Sequence, residues 1–377
     1  IIFAIVPQHV SRAQNSNQAR LIAGPNVNMV SGIQWPNGDP YLQRQNEPSI
    51  AVSTRNPMHI LAGANDYRTV DIPGLPTGIE TGDSWLGAFW SWNAGDSWQS
   101  SLLPGYPQDT STLGLASPLR GFKAAADPVV RAGTNGLFYY SGIAFDRGTN
   151  AKSTVFVARF MDLNNEEGGS PIKYIDTKTV RQELTGAYFI DKPWIAVDIP
   201  RNGAATTTIQ VPTGNNTSIS QIVPCGNVYI AWTEIQQSAT GLSARIMFSR
   251  STDCGASWST PAQLSAVGTV NQGATIAVAP GSGEVYVAWR QFPSTSGCIP
   301  APFQKFVTRF SQGYWKNHPE KWPVQSLTLG GNNYTKQQLI AILNTPVKGD
   351  ATYILAYQLI AAKLNYAQDP NAAIPPN

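Results

Sequence analysis

S-T-D-C-G-A-S-W at residues 251–258 and S-W-N-A-G-D-S-W at residues 91–98 share one frame: Ser, Asp or Asn two positions later, Gly two further on, then Ser-Trp. Each copy follows an apolar run. Asp and Asn side chains are short enough to bond their own backbone two residues on, which locks a turn. Gly95 and Gly255 supply the left-handed backbone such a turn requires. Trp98 and Trp258 each offer a large ring to bury next to it. The competing reading makes the Asp-bearing turn a metal or glycan ligand.

Working outward from the two turns, four segments share an opening: N-E-P-S-I-A-V from Asn46, A-D-P-V-V-R-A from Ala126, D-K-P-W-I-A-V from Asp191 and Q-G-A-T-I-A-V from Gln272. A second β-rich run follows each: H-I-L-A-G, L-F-Y-Y-S-G, V-Y-I-A-W and V-Y-V-A-W, starting at His59, Leu137, Val228 and Val285. Third strands are expected at 86–92, 154–160 and 244–250. The openings stand 80, 65 and 81 residues apart, longer than common propeller repeats, which predicts long loops between strands. Consecutive antiparallel meanders along a chain predict a β-propeller, with a β-sandwich as the rival. The repeated apolar opening favours the propeller, because the innermost strand of every blade meets the same crowded surroundings.

Composition narrows the function classes. Charged residues make up 13% of the 377, against roughly 25% in an average soluble chain, and the net charge of +3 lies in no run of like charges. Neither a nucleic-acid footprint nor a basic membrane patch is predicted. The opening I-I-F-A-I-V followed by a polar stretch reads as the end of a secretory signal over 1–20, with a first strand from Ile1 to Val6 as the alternative. Nothing else approaches the ~18 apolar residues of a membrane span, so export to the cell exterior is expected. Cys225, Cys254 and Cys298 fit no zinc spacing. A hairpin centred near Gln237–Ser238 sets position 225 opposite about 252, so a Cys225–Cys254 bridge is reachable if a bulge absorbs the offset. From Ser311 the pattern changes to helical spacing. Thr335 and Gln338 form a capping box, and Asp350 is the expected N-cap of a helix whose apolar positions are Ile354, Leu355, Leu359, Ile360 and Leu364.

The two turns resemble the Asp-boxes of the sialidase (neuraminidase) superfamily of β-propellers. The match runs through Asp253, Gly255, Ser257 and Trp258, and through Gly95, Ser97 and Trp98 with Asn93 in the Asp position. The segment around G-Y-W-K-N-H-P resembles a short domain at the C-termini of exported bacterial proteins. The expectation is an all-β, sialidase-like propeller over 21–310 and a helical hairpin over 311–377. At least four blades are recognisable, whereas the family has six.

Propeller topology puts the boxes, between third and fourth strands, on the bottom face. The loops before strand 1 and after strand 2 share the top. Arg44, Glu47, Asp127, Asp191 and Lys192 precede first strands; Asp66, Tyr67, Arg68, Asp146, Arg147, Glu234 and Arg290 follow second strands. In so charge-poor a chain this marks a candidate pocket at the channel mouth. The resemblance implies a retaining hydrolase, with arginines clamping a sugar carboxylate, a Tyr–Glu nucleophile pair and an Asp acid. Arg44, Arg68, Arg147 and Arg290 are the clamp candidates, Tyr67 with Glu47 or Glu234 the nucleophile pair, and Asp66 or Asp127 the acid. The F/Y-R-I-P opening that carries the family's first clamp arginine is absent, and no catalytic motif is matched residue by residue. The bland reading has these charges satisfy one another. The balance points to an extracellular binding or assembly protein, with glycans or neighbouring subunits as partners and homo-oligomers through 311–377. An exo-glycosidase acting on acidic sugars is the alternative. No cofactor or metal is expected.

Overall fold

The computed structural model describes residues 24–30, 32, 34–39, 45–69, 83–148, 150–164, 170–201, 203–214, 217–238, 241–292, 315–316, 318–345 and 351–368. Arg44, the segment 1–20 and Asp350 lie outside them. The chain divides into two compact units, Ile1–Ser294 and Thr295–Asn377.

The first unit is a succession of antiparallel meanders. Strands β1 (Gln45–Val52), β2 (Ile60–Asp66), β3 (Trp85–Ser91) and β4 (Gln99–Leu102) pair in chain order. So do β5 (Ala124–Ala132), β6 (Leu137–Phe145), β7 (Ser153–Asp162) and β8 (Ile172–Glu183). The third meander runs β9 (Phe189–Val197), β12 (Val228–Ser238), β13 (Gly241–Ser251) and β14 (Ala262–Gln263). A separate hairpin, β10 (Thr206–Gly214) and β11 (Thr217–Pro224), is inserted after β9. Strands β15 (Val270–Val278) and β16 (Val285–Phe292) open a fourth meander, joined to β13 by one parallel bridge, Ala244 to Val270. A short helix α1 (Thr112–Ala116) lies between β4 and β5.

These sheets pack face to face in chain order. In β6, Phe138, Tyr140 and Ala144 face the first meander, meeting Leu61, Trp85 and Leu86. Leu137, Tyr139, Ile143 and Phe145 face the third, meeting Ile195, Ile230 and Trp232. All nine residues of β6 are therefore buried, so the strand reads L-F-Y-Y-S-G-I-A-F rather than alternating. The third and fourth meanders meet through Tyr229, Ala231 and Ile246 against Ala274, Ile276 and Trp289. Three successive interfaces are more than a two-sheet sandwich provides, and each innermost strand neighbours the next: β1 and β5, β5 and β9, β9 and β15. The meanders stack in series, innermost strand beside innermost strand; the described strands do not close a ring. The outer face of the first meander, through Ile60, Ala62, Phe89 and Trp98, is covered instead by Val27, Met29 and Val30.

Cys225 and Cys254 are joined by a disulfide within the core shared by the second and third meanders, with Cα atoms 5.0 Å apart. The expected hairpin centre is corrected here. Strands β12 and β13 pair Val228 with Ser251 through to Ser238 with Gly241, so position 225 falls opposite 254 and no bulge is required.

The second unit has its own core of Trp315, Trp322, Leu329, Leu339, Leu343, Ile360 and Leu364. Helix α2 (Lys336–Asn344) starts at Thr335, which forms a capping box with Gln338. A β-hairpin, β17 (Ser326–Leu329) with β18 (Asn332–Thr335), precedes it and turns on Gly330 and Gly331, both left-handed. The sequence signal was the two-glycine turn in T-L-G-G-N, which a search for helical spacing alone overlooks. In helix α3 (Ala351–Gln368) the inward stripe is Tyr357, Ile360, Ala361 and Leu364, while Leu355 is 68% exposed. No described helix is long and apolar enough to cross a membrane.

Candidate functional site

The four repeated openings do the same thing to four innermost strands. Each ladder shifts register there, between Asn46 and Ser49, Ala126 and Val129, Asp191 and Trp194, and Gln272 and Thr275. The residue inside each bulge is left-handed: Glu47 (φ 50°), Asp127 (φ 62°), Lys192 (φ 47°) and Gly273 (φ 71°). Proline follows the first three, and a bulge accommodates it because no ladder N–H is needed there. A left-handed backbone costs about 1–2 kcal/mol in a residue with a Cβ. Strain repeated at equivalent points is what built sites carry.

The bulges bring three of these side chains together. Lys192 Nζ donates to Glu47 Oε2 at 2.6 Å and to Asp127 Oδ1 at 3.1 Å, so three successive meanders meet at one ammonium. The Lys192 backbone N–H donates to Asp127 Oδ2, at 3.2 Å. Asn65 Oδ1 accepts from the Asp127 N–H at 2.8 Å, and Asn65 Nδ2 donates to Asn46 Oδ1 at 2.9 Å. Glu47 and Lys192 are about half exposed, at 47% and 45%, and Asp127 is 12% exposed. Burial pushes the Asp127 carboxyl up to about 7; the Lys192 charge opposes this, and Glu47 and Asp191 add to it. Burial also acts to raise Glu47, but hydrogen bonds from Lys192 and Asp127 outweigh it and hold Glu47 below the usual range. Asp127 is thus the carboxyl of the pair that holds its proton to the higher pH.

The remaining candidates are committed elsewhere. Asp66 and Arg68 form a fully buried pair, Nη2 to Oδ2 at 2.7 Å; the guanidinium also donates to Pro36 O and Ser101 O. Arg147 is 71% exposed, sits on Asp83 at 2.7 Å and covers the Phe145 ring. Arg290 lies over Phe292. The described arginines therefore form no common clamp, a correction to that expectation: each guanidinium stacks or pairs within its own meander or next to it. Glu234, 1% exposed, is held by Arg245 from Oε2 and by Arg181 from Oε1, while Glu47 is held by Lys192. Both glutamates are thus engaged by cations, and Tyr67 opens a single turn of 3-10 helix directly after Asp66. Sequence reading overlooked Arg181 and Arg245. Arg245 was within reach, since it stands directly opposite Glu234 in the β12–β13 register. Asp146 pairs with Lys152, and Asp191 accepts from Gln272.

The two Ser-Trp turns lie between the third and fourth strands of their meanders and share one hydrogen-bond pattern. Asp253 Oδ1 accepts from the Ser257 N–H at 2.9 Å and from Ser251 Oγ at 2.7 Å, and Ser251 Oγ accepts from the Gly255 N–H at 2.9 Å. Asn93 Oδ1 does the same with the Ser97 N–H at 3.0 Å and Ser91 Oγ at 2.9 Å, and Ser91 Oγ accepts from the Gly95 N–H. The remaining polar atoms are also bonded within the turns: Ser257 Oγ donates to Asp253 Oδ2, and Asn93 Nδ2 donates to Ser97 Oγ. Arg159 of β7 reaches the second turn, donating to Cys254 O at 3.0 Å, and Trp258 packs against the adjoining core. Among the described residues, no group of three His, Cys, Asp or Glu side chains is placed to hold a metal ion.

No family model matches the chain, and no curated protein matches it. Among solved structures it is similar to an α-L-arabinofuranosidase of Fusarium graminearum, at 12% identity and TM-score 0.36, over 68% of this chain and 64% of that one. It is also similar to a sialidase of Trypanosoma rangeli, at 9% identity and TM-score 0.26, over 66% and 52%. An α-L-arabinanase of Penicillium chrysogenum gives 13% identity and TM-score 0.27, over 66% and 81%. The chain thus spans less than two thirds of the length of the first two. Similarity at this level assigns no activity.

Proposed function

We propose that this is an exported, propeller-type protein that binds glycans through the face carrying Glu47, Asp127 and Lys192. The observation that carries the reading is the threefold bulge: strained backbone at equivalent points of three strands places two carboxylates and an ammonium at one solvent-facing point. Hydroxyl groups are well matched by such a set, with acceptors on Glu47 and Asp127 and a donor on Lys192, flanked by the amides of Asn46 and Asn65. The buried Cys225–Cys254 disulfide supports an oxidising compartment and hence export.

A second reading is favoured by one observation, two carboxyls, Glu47 and Asp127, held on the same Lys192 ammonium, with burial pushing Asp127 up and hydrogen bonds holding Glu47 down. Such a pair is what acid/base cleavage of a glycoside needs, and it is the form in which an exo-glycosidase activity on acidic sugars stands. The test is a glycan array with the full chain and its Lys192→Ala and Asp127→Asn variants, alongside release of a fluorogenic aglycone from neutral and acidic aryl glycosides. Binding that is lost in Lys192→Ala supports the first reading. Turnover lost in Asp127→Asn with binding retained supports the second. Equal array profiles together with equal turnover for parent and both variants would leave the cluster an inter-meander latch and sink both.

A further inference from the structure

The loop from Leu103 to Lys123, which joins the first meander to the second, encloses a cleft of about 620 Å³. Its shape is fixed from inside. Asp109 is buried and accepts from the Gly105 and Ser111 N–H groups, both at 2.9 Å. Ser111 Oγ then accepts from the Gly114 N–H and caps α1. Gly114 lies so close to Asp109 that any side chain there would overlap the carboxyl. The loop is thus a built wall, with its one carboxylate already occupied by backbone donors.

The rim carries the opposite charge. Arg120 and Lys123 are exposed at the edge of the cleft, and no described carboxylate lies within ion-pair distance of either side chain. The nearby Asp146 is taken by Lys152, whose Nζ also stands 5.5 Å over the Phe122 ring. Two exposed cations beside one buried carboxylate leave the lining of the cleft net positive. Tyr106 and Phe122 add aromatic wall, and the hydroxyl of Thr110 and the amide of Gln108 add hydrogen-bonding groups. Burial, with the Asp109 charge second, pushes the Tyr106 phenol up to about 12, so it remains a hydrogen-bond donor across the physiological range.

We propose that this cleft binds the acidic group of an anionic saccharide, a carboxylate or sulfate held by Arg120 and Lys123 with the ring against Tyr106. The oxyanion is matched by two cationic donors, and the polyhydroxylated ring by an aromatic wall with neutral polar groups beside it. The proposal rests on the glycan reading above and places its charge recognition away from the Lys192 cluster.

The experiment is isothermal titration of the full chain with glucuronate, glucose 6-sulfate, glucose and inorganic sulfate at low salt, repeated for an R120A/K123A variant. Glucuronate or glucose 6-sulfate is expected to bind and glucose not to. The double variant is expected to lose at least about tenfold in affinity, as removal of a charge-assisted hydrogen bond implies. Added salt weakens the binding. Which of the two acids binds identifies the carboxylate or the sulfate as the natural group. Both changed positions are exposed, so an unchanged melting temperature checks that the variant is folded. The proposal is overturned if glucose binds as tightly as the acids, if inorganic sulfate does, if neither acid binds, or if the double variant binds like the parent. Acid binding lost in Lys192→Ala and retained in the double variant would remove the cleft and keep the reading at Glu47, Asp127 and Lys192. The reverse pattern would keep the cleft alone.

Discussion

Asp253 and Asn93 occupy the same place in two turns and make the same bonds to backbone, although only one is charged. Asn93→Asp is therefore expected to change stability by less than about 0.5 kcal/mol, whereas Asp253→Ala, which removes acceptors from the Ser257 N–H and the Ser251 hydroxyl, costs about 1–3 kcal/mol in urea unfolding. Acid separates two carboxyls by sign. Burial acts to raise Asp253, but its hydrogen bonds with Ser257 and Ser251 outweigh this and hold it below 3.8, so its contribution is present above that value and is lost as pH falls through the folded pKa. Asp127 behaves oppositely. Its folded carboxyl keeps a proton up to about 7 and its unfolded one only to 3.8, so its contribution is full below 3.8 and declines as pH rises to about 7. In Asp127→Asn the urea midpoint should no longer carry that decline, and a parent and variant with parallel pH profiles between 4 and 7 would count against the assignment. The Asp127 titration was not visible in the residue order, because it depends first on burial that neighbouring strands impose, whereas that of Asp253 is set by Ser251 and Ser257 within its own turn.

At the scale of elements, β6 illustrates how a strand buried on both faces is specified. Tyr140 is fully buried and its Oη donates to Gly87 O at 2.8 Å, across the interface between the first two meanders. Tyr140→Phe is expected to cost about 1–3 kcal/mol, because the Gly87 carbonyl is left without its partner. The disulfide staples β13's end to the segment before β12 across a separation of 29 residues, for which chain entropy gives about 3–4 kcal/mol. A Cys225→Ser/Cys254→Ser variant should lose that much, and the parent should lose the same on adding reductant. The opening motifs, the third strands and the capping box at Thr335 were legible as patterns of residue type. The β10–β11 hairpin and the Ser326–Thr335 hairpin were not picked up, since short polar strands alternate weakly and their pairing depends on a turn rather than on an apolar stripe.

For the whole molecule, two separate cores imply two thermal transitions. Trp315 is fully buried in the second unit, and its indole N–H donates to Asn365 Oδ1 at 3.2 Å. Trp315→Ala removes about 3–5 kcal/mol, enough to unfold so small a core. Calorimetry of the full chain should then show one transition abolished and the other unmoved; a shift in both would mean that the units unfold together.

What the residue order determined by itself was the repeating meander and the two locked turns, because both depend on contacts within a few residues: apolar runs, a short carboxyl or amide, and glycine. What only the tertiary structure decided was which charges meet. Arg68 could have been a ligand clamp as far as the sequence goes, yet Asp66, two residues away, takes it into the core. Glu47, Asp127 and Lys192 lie 145 residues apart at the extremes and meet because three strands bulge at the same height. Pairing of charges depends on distance in space, and in a meander repeat that distance is set by the register of neighbouring sheets rather than by the residues themselves.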